Sequence, residues 1–96
     1  MFIRIAEVPL KPSLASEARR IYAEQAAPRA LATEGCAGCY LLEPVEPSAP
    51  HLACTVWQSE AAARAYELSG AAAQVAGLIR FAFAGPPVLR SYLKPD

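Results

Sequence analysis

Two titratable side chains are the first candidates for proton-transfer chemistry in this sequence. Glu7 lies in the otherwise apolar segment of residues 2–10, and burial would raise the pKa of its carboxyl group so that it could act as a base. The alternative is that Glu7 sits at a sheet edge or pairs with an arginine. His51 is the only histidine and carries the usual base near neutral pH. It follows a proline-rich segment, at the end of a predicted strand remote from Trp57, so we expect it to be exposed in a loop.

The cysteines form a second candidate constellation. Cys36 and Cys39 have the spacing of a redox or zinc half-site. Cys54 and His51 would raise the total to four ligands, but they differ by three positions on a predicted strand and therefore point to opposite faces. We interpret the cysteines as small buried apolar side chains and predict no metal site. Three cysteines are an odd number, which argues against a disulfide scaffold and favours a reducing cytoplasm.

Aromatic side chains are the candidates for contact with a ligand. Trp57 could wall a pocket and stack on a ring, or it could anchor the core. Tyrosine hydroxyls could donate hydrogen bonds to a ligand carbonyl or phenolate, or they could point at water or a backbone group. The two phenylalanines after the second predicted helix could close a pocket mouth, or pack in the core or against a second copy. These residues are Tyr40, Tyr66, Tyr92, Phe81 and Phe83.

Hydrophobic periodicity predicts the elements that position these side chains. Strands are expected at residues 2–10, 39–44, 51–57 and 88–93. The first helix should begin after Ser13 as N-cap and run to about Ala26, with Pro28 as a kink or stop before a short second turn that ends at Gly35. Ser59 should cap the second helix. Gly70 should break it before residues 71–78 resume.

This order of elements is β-α-β-β-α-β, which predicts a ferredoxin-like α+β fold with both helices on one face of an antiparallel sheet. The strands are apolar on both sides, as in the first strand, where Ile3 and Ile5 alternate with Phe2 and Ala6. The helices cover one face only. A second copy of the chain is the simplest cover for the other face, and we therefore expect a homodimer. Residues 1–96 have the length of a single domain.

Composition excludes several classes of partner. The chain has nine basic and nine acidic residues and a formal net charge of zero, so it has no basic stripe for nucleic-acid phosphates. It has no apolar run of the ~18 residues that would span a membrane. The segment Met1 to Ile5 lacks the pattern of a secretory signal. We expect a cytoplasmic protein.

Two segments carry a resemblance to a known family. The segment Thr55 to Ala61, followed by Tyr66, resembles the strand-ending tryptophan and capped helix of the antibiotic biosynthesis monooxygenase family of dimeric α+β barrels. The segment Glu34 to Gly38 resembles its glycine-bearing entry to the second strand. The resemblance spans nearly the whole chain. It implies a homodimer with sheets packed face to face and a pocket between helices and sheet in each subunit.

The resemblance also implies an activity. Relatives oxygenate quinol-like or polyketide-like aromatic compounds without metal or flavin, and others degrade heme. The heme-degrading branch has an asparagine on the first strand and a histidine on the second helix, where this chain has Ala6 to Val8 and no histidine in residues 69–76. We predict a cofactor-free monooxygenase-like homodimer with Trp57, Tyr66 and Glu7 as catalytic candidates. The predicted ligand contacts are Tyr40, Phe81, Phe83 and Tyr92. A non-catalytic binding or accessory homodimer, and an isomerase or lyase, remain alternatives.

Overall fold

The computed structural model describes residues 1–95, whose strands form one antiparallel sheet with helices packed on one face. The strands are β1 (Phe2–Val8), β2 (Cys36–Leu42), β3 (His51–Trp57) and β4 (Val88–Leu93). The α-helices are α1 (Pro12–Ile21), α2 (Ala27–Leu31), α3 (Glu60–Leu68) and α4 (Ala71–Gly77). The sheet order β2-β3-β1-β4 confirms the predicted ferredoxin-like α+β fold.

The pairing register divides the sheet into two faces with different surroundings. On β1, Phe2 and Val8 point toward the helices and are buried, and they pair with Trp57 and His51 of β3. We call this side the inner face. The alternate positions point away from the helices and form what we call the open face. Its residues are Ile3, Ile5, Glu7, Tyr40, Leu42, Leu52, Cys54, Val56, Val88, Arg90 and Tyr92. The strands are thus largely apolar on both faces, as predicted.

The start of one helix agrees with the prediction and the start of the other does not. The Ala62 N–H donates to Ser59 Oγ at 3.1 Å, so Ser59 caps α3 as predicted. The prediction of Ser13 as the first N-cap is wrong, because α1 begins at Pro12 with Lys11 in the N-cap position. Proline suits the first helical position, where its fixed φ is favourable and its missing N–H has no partner to lose.

The helical geometry changes just before Pro28, as the predicted kink or stop with a short second turn near Pro28 required. The segment Tyr22–Ala26 is π-helical, and the Ala27 N–H donates to the Tyr22 carbonyl. Helix α2 then continues to Leu31. The wider turn changes the hydrogen-bond register just before Pro28, so the missing N–H of Pro28 falls in the first turn of α2, where an α-helix needs no donor.

Strand β2 starts at Cys36 rather than at the predicted Cys39, and Gly35 makes this start possible. Gly35 has a φ of +85°, and a Cβ added there would lie 2.6 Å from the Cβ of Ala62. Only glycine therefore allows β2 to begin so close to α3. The register of β2 shifts between Cys36 and Gly38. This bulge places Cys36 and Cys39 on the same face of the sheet.

The core lies between the inner face and the helices. It contains Tyr22 of the π-helical segment, Trp57 at the end of β3, Tyr66 of α3 and Ile79 after α4. Trp57 is 1% exposed and is the largest fully buried side chain in the described part of the chain. Among residues 1–95, no helix combines the length and the apolar character needed to cross a membrane.

Candidate functional site

A cavity of about 320 Å³ lies between the inner face and helices α3 and α4. This volume is near the lower end of the ~300–1,000 Å³ typical of small-molecule sites. Small side chains leave the space open, namely Ala6, Ala53, Ala63, Ala72, Ala73 and Ala76. Phe83, Pro87 and Leu89 also line the cavity. Phe81 is 44% exposed and lies outside the lining described for residues 1–95.

Trp57 and Tyr66 form one wall of the cavity. Their ring centroids are 5.0 Å apart at an interplanar angle of 42°, a tilted contact that aromatic pairs favour. The Trp57 Nε1–H donates to Thr55 Oγ1 at 2.8 Å, which satisfies the only polar group of the indole. The sequence brings the rings together because Trp57 ends β3 and Ser59 starts α3 two residues later.

The hydroxyl of Tyr66 is buried and has no hydrogen-bond partner among residues 1–95. Burial, together with the nearby Cys39 and Cys36 thiols, raises the pKa of Tyr66 to about 12. The hydroxyl therefore stays protonated at neutral pH and can donate a hydrogen bond. The neighbouring Tyr22 differs, because its hydroxyl lies 3.2 Å from Cys39 Sγ. Burial and that contact raise the pKa of Tyr22 well above its usual value.

Arg4 is a cavity residue that the sequence did not predict. It lies on the inner face of β1, pairs in register with Thr55 and lines the cavity. Its Nη2 lies 2.7 Å from the Glu67 carboxylate, and its Nη1 donates to Ser91 Oγ. Its Nε is buried and has no hydrogen-bond partner among residues 1–95. The sequence did contain a signal for its position, because strand alternation points residue 4 to the same face as Phe2.

Three predicted site residues lie on the open face, away from the cavity. Glu7, Tyr40 and Tyr92 all occupy positions that alternate with the inner-face residues. Glu7 Oε1 is 3.6 Å from Arg90 Nε, which matches the predicted alternative of pairing with an arginine. Within one chain, these residues therefore do not contact Trp57, because neighbouring residues on a strand point to opposite faces of the sheet.

The prediction that His51 is exposed in a loop is wrong, because its side chain is buried and only 7% exposed. It is the first residue of β3 and points to the inner face, where its Nε2 lies 3.0 Å from Arg19 Nη1. Burial and the Arg19 charge lower its pKa, and Glu43 partly opposes this shift. His51 lies at the opposite end of β3 from Trp57, as predicted.

The cysteines are free thiols. Cys39 is buried on the inner face and lines the cavity, while Cys54 points to the open face. Burial raises the pKa of Cys36, Cys39 and Cys54, which favours the unreactive thiol form. In residues 1–95, no group of three or more histidine, cysteine or acidic side chains is arranged to hold a metal ion.

Comparisons with known proteins agree with this architecture. A candidate antibiotic biosynthesis monooxygenase from Bordetella bronchiseptica superposes with a TM-score of 0.81 at 20% identity, over 99% of this chain and 97% of that one. The heme-degrader MhuD from Mycobacterium tuberculosis, solved with two hemes bound in its active site, gives 0.80 at 23% identity, over 100% and 98%. A candidate monooxygenase from Caulobacter crescentus gives 0.81 at 16% identity, over 99% and 90%.

These structural likenesses establish the fold. No curated protein matches the sequence at a significant level. The family model described as antibiotic biosynthesis monooxygenase matches residues 1–81, which is most of the chain and includes the Trp57 and Tyr66 wall. This chain therefore belongs to the antibiotic biosynthesis monooxygenase family.

Proposed function

We propose that the chain binds a small, largely apolar aromatic compound beside Trp57 and oxygenates it without a metal or organic cofactor, as a homodimer. The observation that carries ligand binding is Tyr66, a cavity-lining residue whose buried hydroxyl has no hydrogen-bond partner among residues 1–95. Buried hydroxyls are normally paired, so an acceptor on a bound compound would satisfy it. Oxygenation is supported by family membership, although one fold can host several activities.

The proposed chemistry uses the cavity wall to hold an electron-rich substrate. The substrate ring would stack on Trp57, and Tyr66 would donate to its carbonyl or phenolate oxygen. This hydrogen bond favours the substrate anion, whose electrons reduce O₂. With an anthrone-like substrate, a CH₂ group becomes C=O, one oxygen atom enters the product, and the other leaves as water with both hydrogens. With a hydroquinone-like substrate, a ring C–H becomes C–OH, the ring becomes a quinone, and the second oxygen atom again leaves as water. The substrate supplies every electron, so the reaction needs no other reductant.

The cavity offers no histidine that could ligate a heme iron in the way a proximal histidine does. His51 is the only histidine of the chain, and it pairs with Val8 at the end of β3 opposite Trp57. It does not belong to the cavity lining described for residues 1–95. The proposed reaction therefore has no step that depends on heme.

The open face supports the homodimer. Tyr40, Leu42, Val88 and Tyr92 are each between 46% and 53% exposed in the single chain, and apolar side chains fill the strands between them. A face this apolar is typical of an interface, and two-fold dimers are the commonest oligomers.

Sedimentation velocity tests the dimer. Val56→Arg, on the open face of the central strand β3, should convert the dimer to a monomer, because it would bury two unpaired charges. Leu68→Arg is the matched control, since Leu68 is 87% exposed on α3. A wild-type chain that sediments as a monomer at micromolar concentration would contradict the proposal.

Oxygen uptake tests the activity. Wild-type protein treated with a chelator should consume O₂ with an anthrone-like or hydroquinone-like substrate. Trp57→Ala and Tyr66→Phe should lose most of this activity, and Tyr40→Phe should retain it because Tyr40 lies on the open face. Oxygen uptake that is unchanged in both cavity variants would show that the chemistry occurs elsewhere.

A non-catalytic binding module is the second candidate function. It is favoured because Glu7, the predicted base, lies on the open face and pairs with Arg90. Ligand-induced thermal stabilisation without oxygen uptake would identify a binding module. Turnover that persists without oxygen would instead identify an isomerase or lyase.

A further inference from the structure

We propose that Arg4 makes this cavity selective for aromatic compounds that carry an anionic oxygen group, and that Glu67 is an internal anion which the ligand displaces. The inference rests on the proposed ligand-binding function and specifies the class of ligand. An apolar body would fill the alanine-lined cavity, and a carboxylate or phenolate would lie at Arg4.

The first support is the location of Arg4. Besides the apolar cavity, it lines a neighbouring groove of about 370 Å³ whose wall includes Glu60, Arg64, Glu67 and Ser91. Arg4 and Glu67 line both spaces. The guanidinium therefore lies at the boundary between a charged, solvent-facing groove and an apolar interior. A ligand with one apolar and one anionic end fits this boundary better than a hydrocarbon does.

The second support is the set of unused donors. Arg4 Nε and the Tyr66 hydroxyl are both buried without a hydrogen-bond partner among residues 1–95. Arginine and a protonated tyrosine are donors, and an ionised carboxylate accepts at both of its oxygens. A carboxylate that replaces Glu67 at Arg4 can therefore accept hydrogen bonds that a neutral apolar ligand could not.

The third support is the ease of displacing Glu67. Its side chain is 40% exposed, and its partner Arg4 is 22% exposed. Glu67 is thus the solvent-exposed member of the pair, and its carboxylate can be hydrated without moving the helix that carries it. If a ligand carboxylate replaced Glu67 at Arg4, Glu67 could turn to water without leaving a buried charge, while Arg4 kept an anionic partner.

Calorimetric binding of 2-naphthoate and of the neutral 2-naphthamide tests the inference near neutral pH. Wild-type protein should bind naphthoate about tenfold more tightly, which corresponds to one charge-assisted contact. Arg4→Gln should abolish the preference. Glu67→Gln should strengthen naphthoate binding severalfold and leave naphthamide binding unchanged, because it removes the competing carboxylate. Arg64→Gln is the control, since Arg64 lines only the groove and pairs with Glu60 at 3.2 Å.

Arg4→Gln and Glu67→Gln should change naphthoate binding in opposite directions. Unfolding of the variants would instead weaken naphthoate binding in both, so the two explanations can be told apart. Equal affinity of wild-type protein for the two compounds, or a preference that survives Arg4→Gln, would overturn this inference and leave the proposed function intact. Failure of both compounds to bind the folded wild-type protein would count against the proposed function as well.

Discussion

Replacing Tyr66 with phenylalanine removes a single buried oxygen atom and leaves the ring in contact with Trp57. The hydroxyl has no hydrogen-bond partner among residues 1–95, and an unsatisfied buried polar group costs ~1–3 kcal/mol. We therefore expect Tyr66→Phe to raise the free energy of unfolding of the ligand-free protein by about 1 kcal/mol. In a domain of this size, this change raises Tm by about 4–8 °C.

Tyr22 supplies a matched control, because it is buried to a similar depth and the same substitution removes the same atom. Tyr22 is 5% exposed and Tyr66 is 7% exposed, but the Tyr22 hydroxyl has Cys39 Sγ as a partner at 3.2 Å. Tyr22→Phe should lower the free energy of unfolding by about 1 kcal/mol, the net worth of a typical hydrogen bond. The two substitutions should therefore have opposite signs.

Urea unfolding followed by circular dichroism measures both variants, and unchanged m-values would show that both states have kept their exposed surface. The reasoning fails if Tyr66→Phe destabilises the protein as much as Tyr22→Phe does. That result would mean that the Tyr66 hydroxyl is already satisfied in the free protein and is not held ready for a ligand. A gain in stability accompanied by weaker ligand binding would support both parts of the reasoning.

Three further perturbations test other features. Gly35→Ala should lower the free energy of unfolding, measured in urea, by about 2 kcal/mol or more, because it adds a close contact to an unfavourable φ. Gly70 has the same φ of +85° but open space around it in the described structure, so Gly70→Ala should lower the free energy of unfolding by only about 1 kcal/mol. Ala72→Leu should fill part of the cavity and weaken ligand binding in calorimetry, while the exposed Ala65→Leu should not. The pKa of His51 is lowered by burial, so the unfolded state binds this proton more readily. Thermal melts should show stability that is fully present above the ordinary histidine pKa of about 6.5 and declines as pH falls below it. His51→Gln should reduce this decline.

Local patterns predicted the elements that position the site better than they predicted its polar groups. The Ser59 cap follows from a residue type at a helix start, and the contact of Trp57 with Tyr66 follows from a tryptophan placed just before that helix. Arg4 was missed because alternation gives the face of a charged side chain but not its ion partner. Its pairing with Glu67 depends on how α3 crosses the sheet, which no single segment specifies.

One correction shows tertiary structure overriding local preference. His51 follows a proline-rich loop, which favours exposure, yet its first position in β3 and its contact with Arg19 of α1 bury it. Glu7 is a different case, because strand alternation alone places it on the open face, where its contact with Arg90 matches the predicted alternative of pairing with an arginine. The resemblance implied a pocket between helices and sheet, but the lining of the cavity could not be predicted, because its space depends on where small side chains from several elements meet.

The π-helical segment Tyr22–Ala26 holds one residue more than an α-helical turn would hold. One residue of an α-helix corresponds to a rotation of about 100°, and the wider turn absorbs that rotation, so that Ala30 stays fully buried. Deleting a single residue within this segment should therefore restore α-helical hydrogen bonding and leave Ala30 facing the core. Related chains whose first helix is one residue shorter should bury the same side of α2. In an alignment of such relatives, single-residue gaps should cluster in this segment, and the position of Ala30 should hold a small apolar residue on both sides of the comparison.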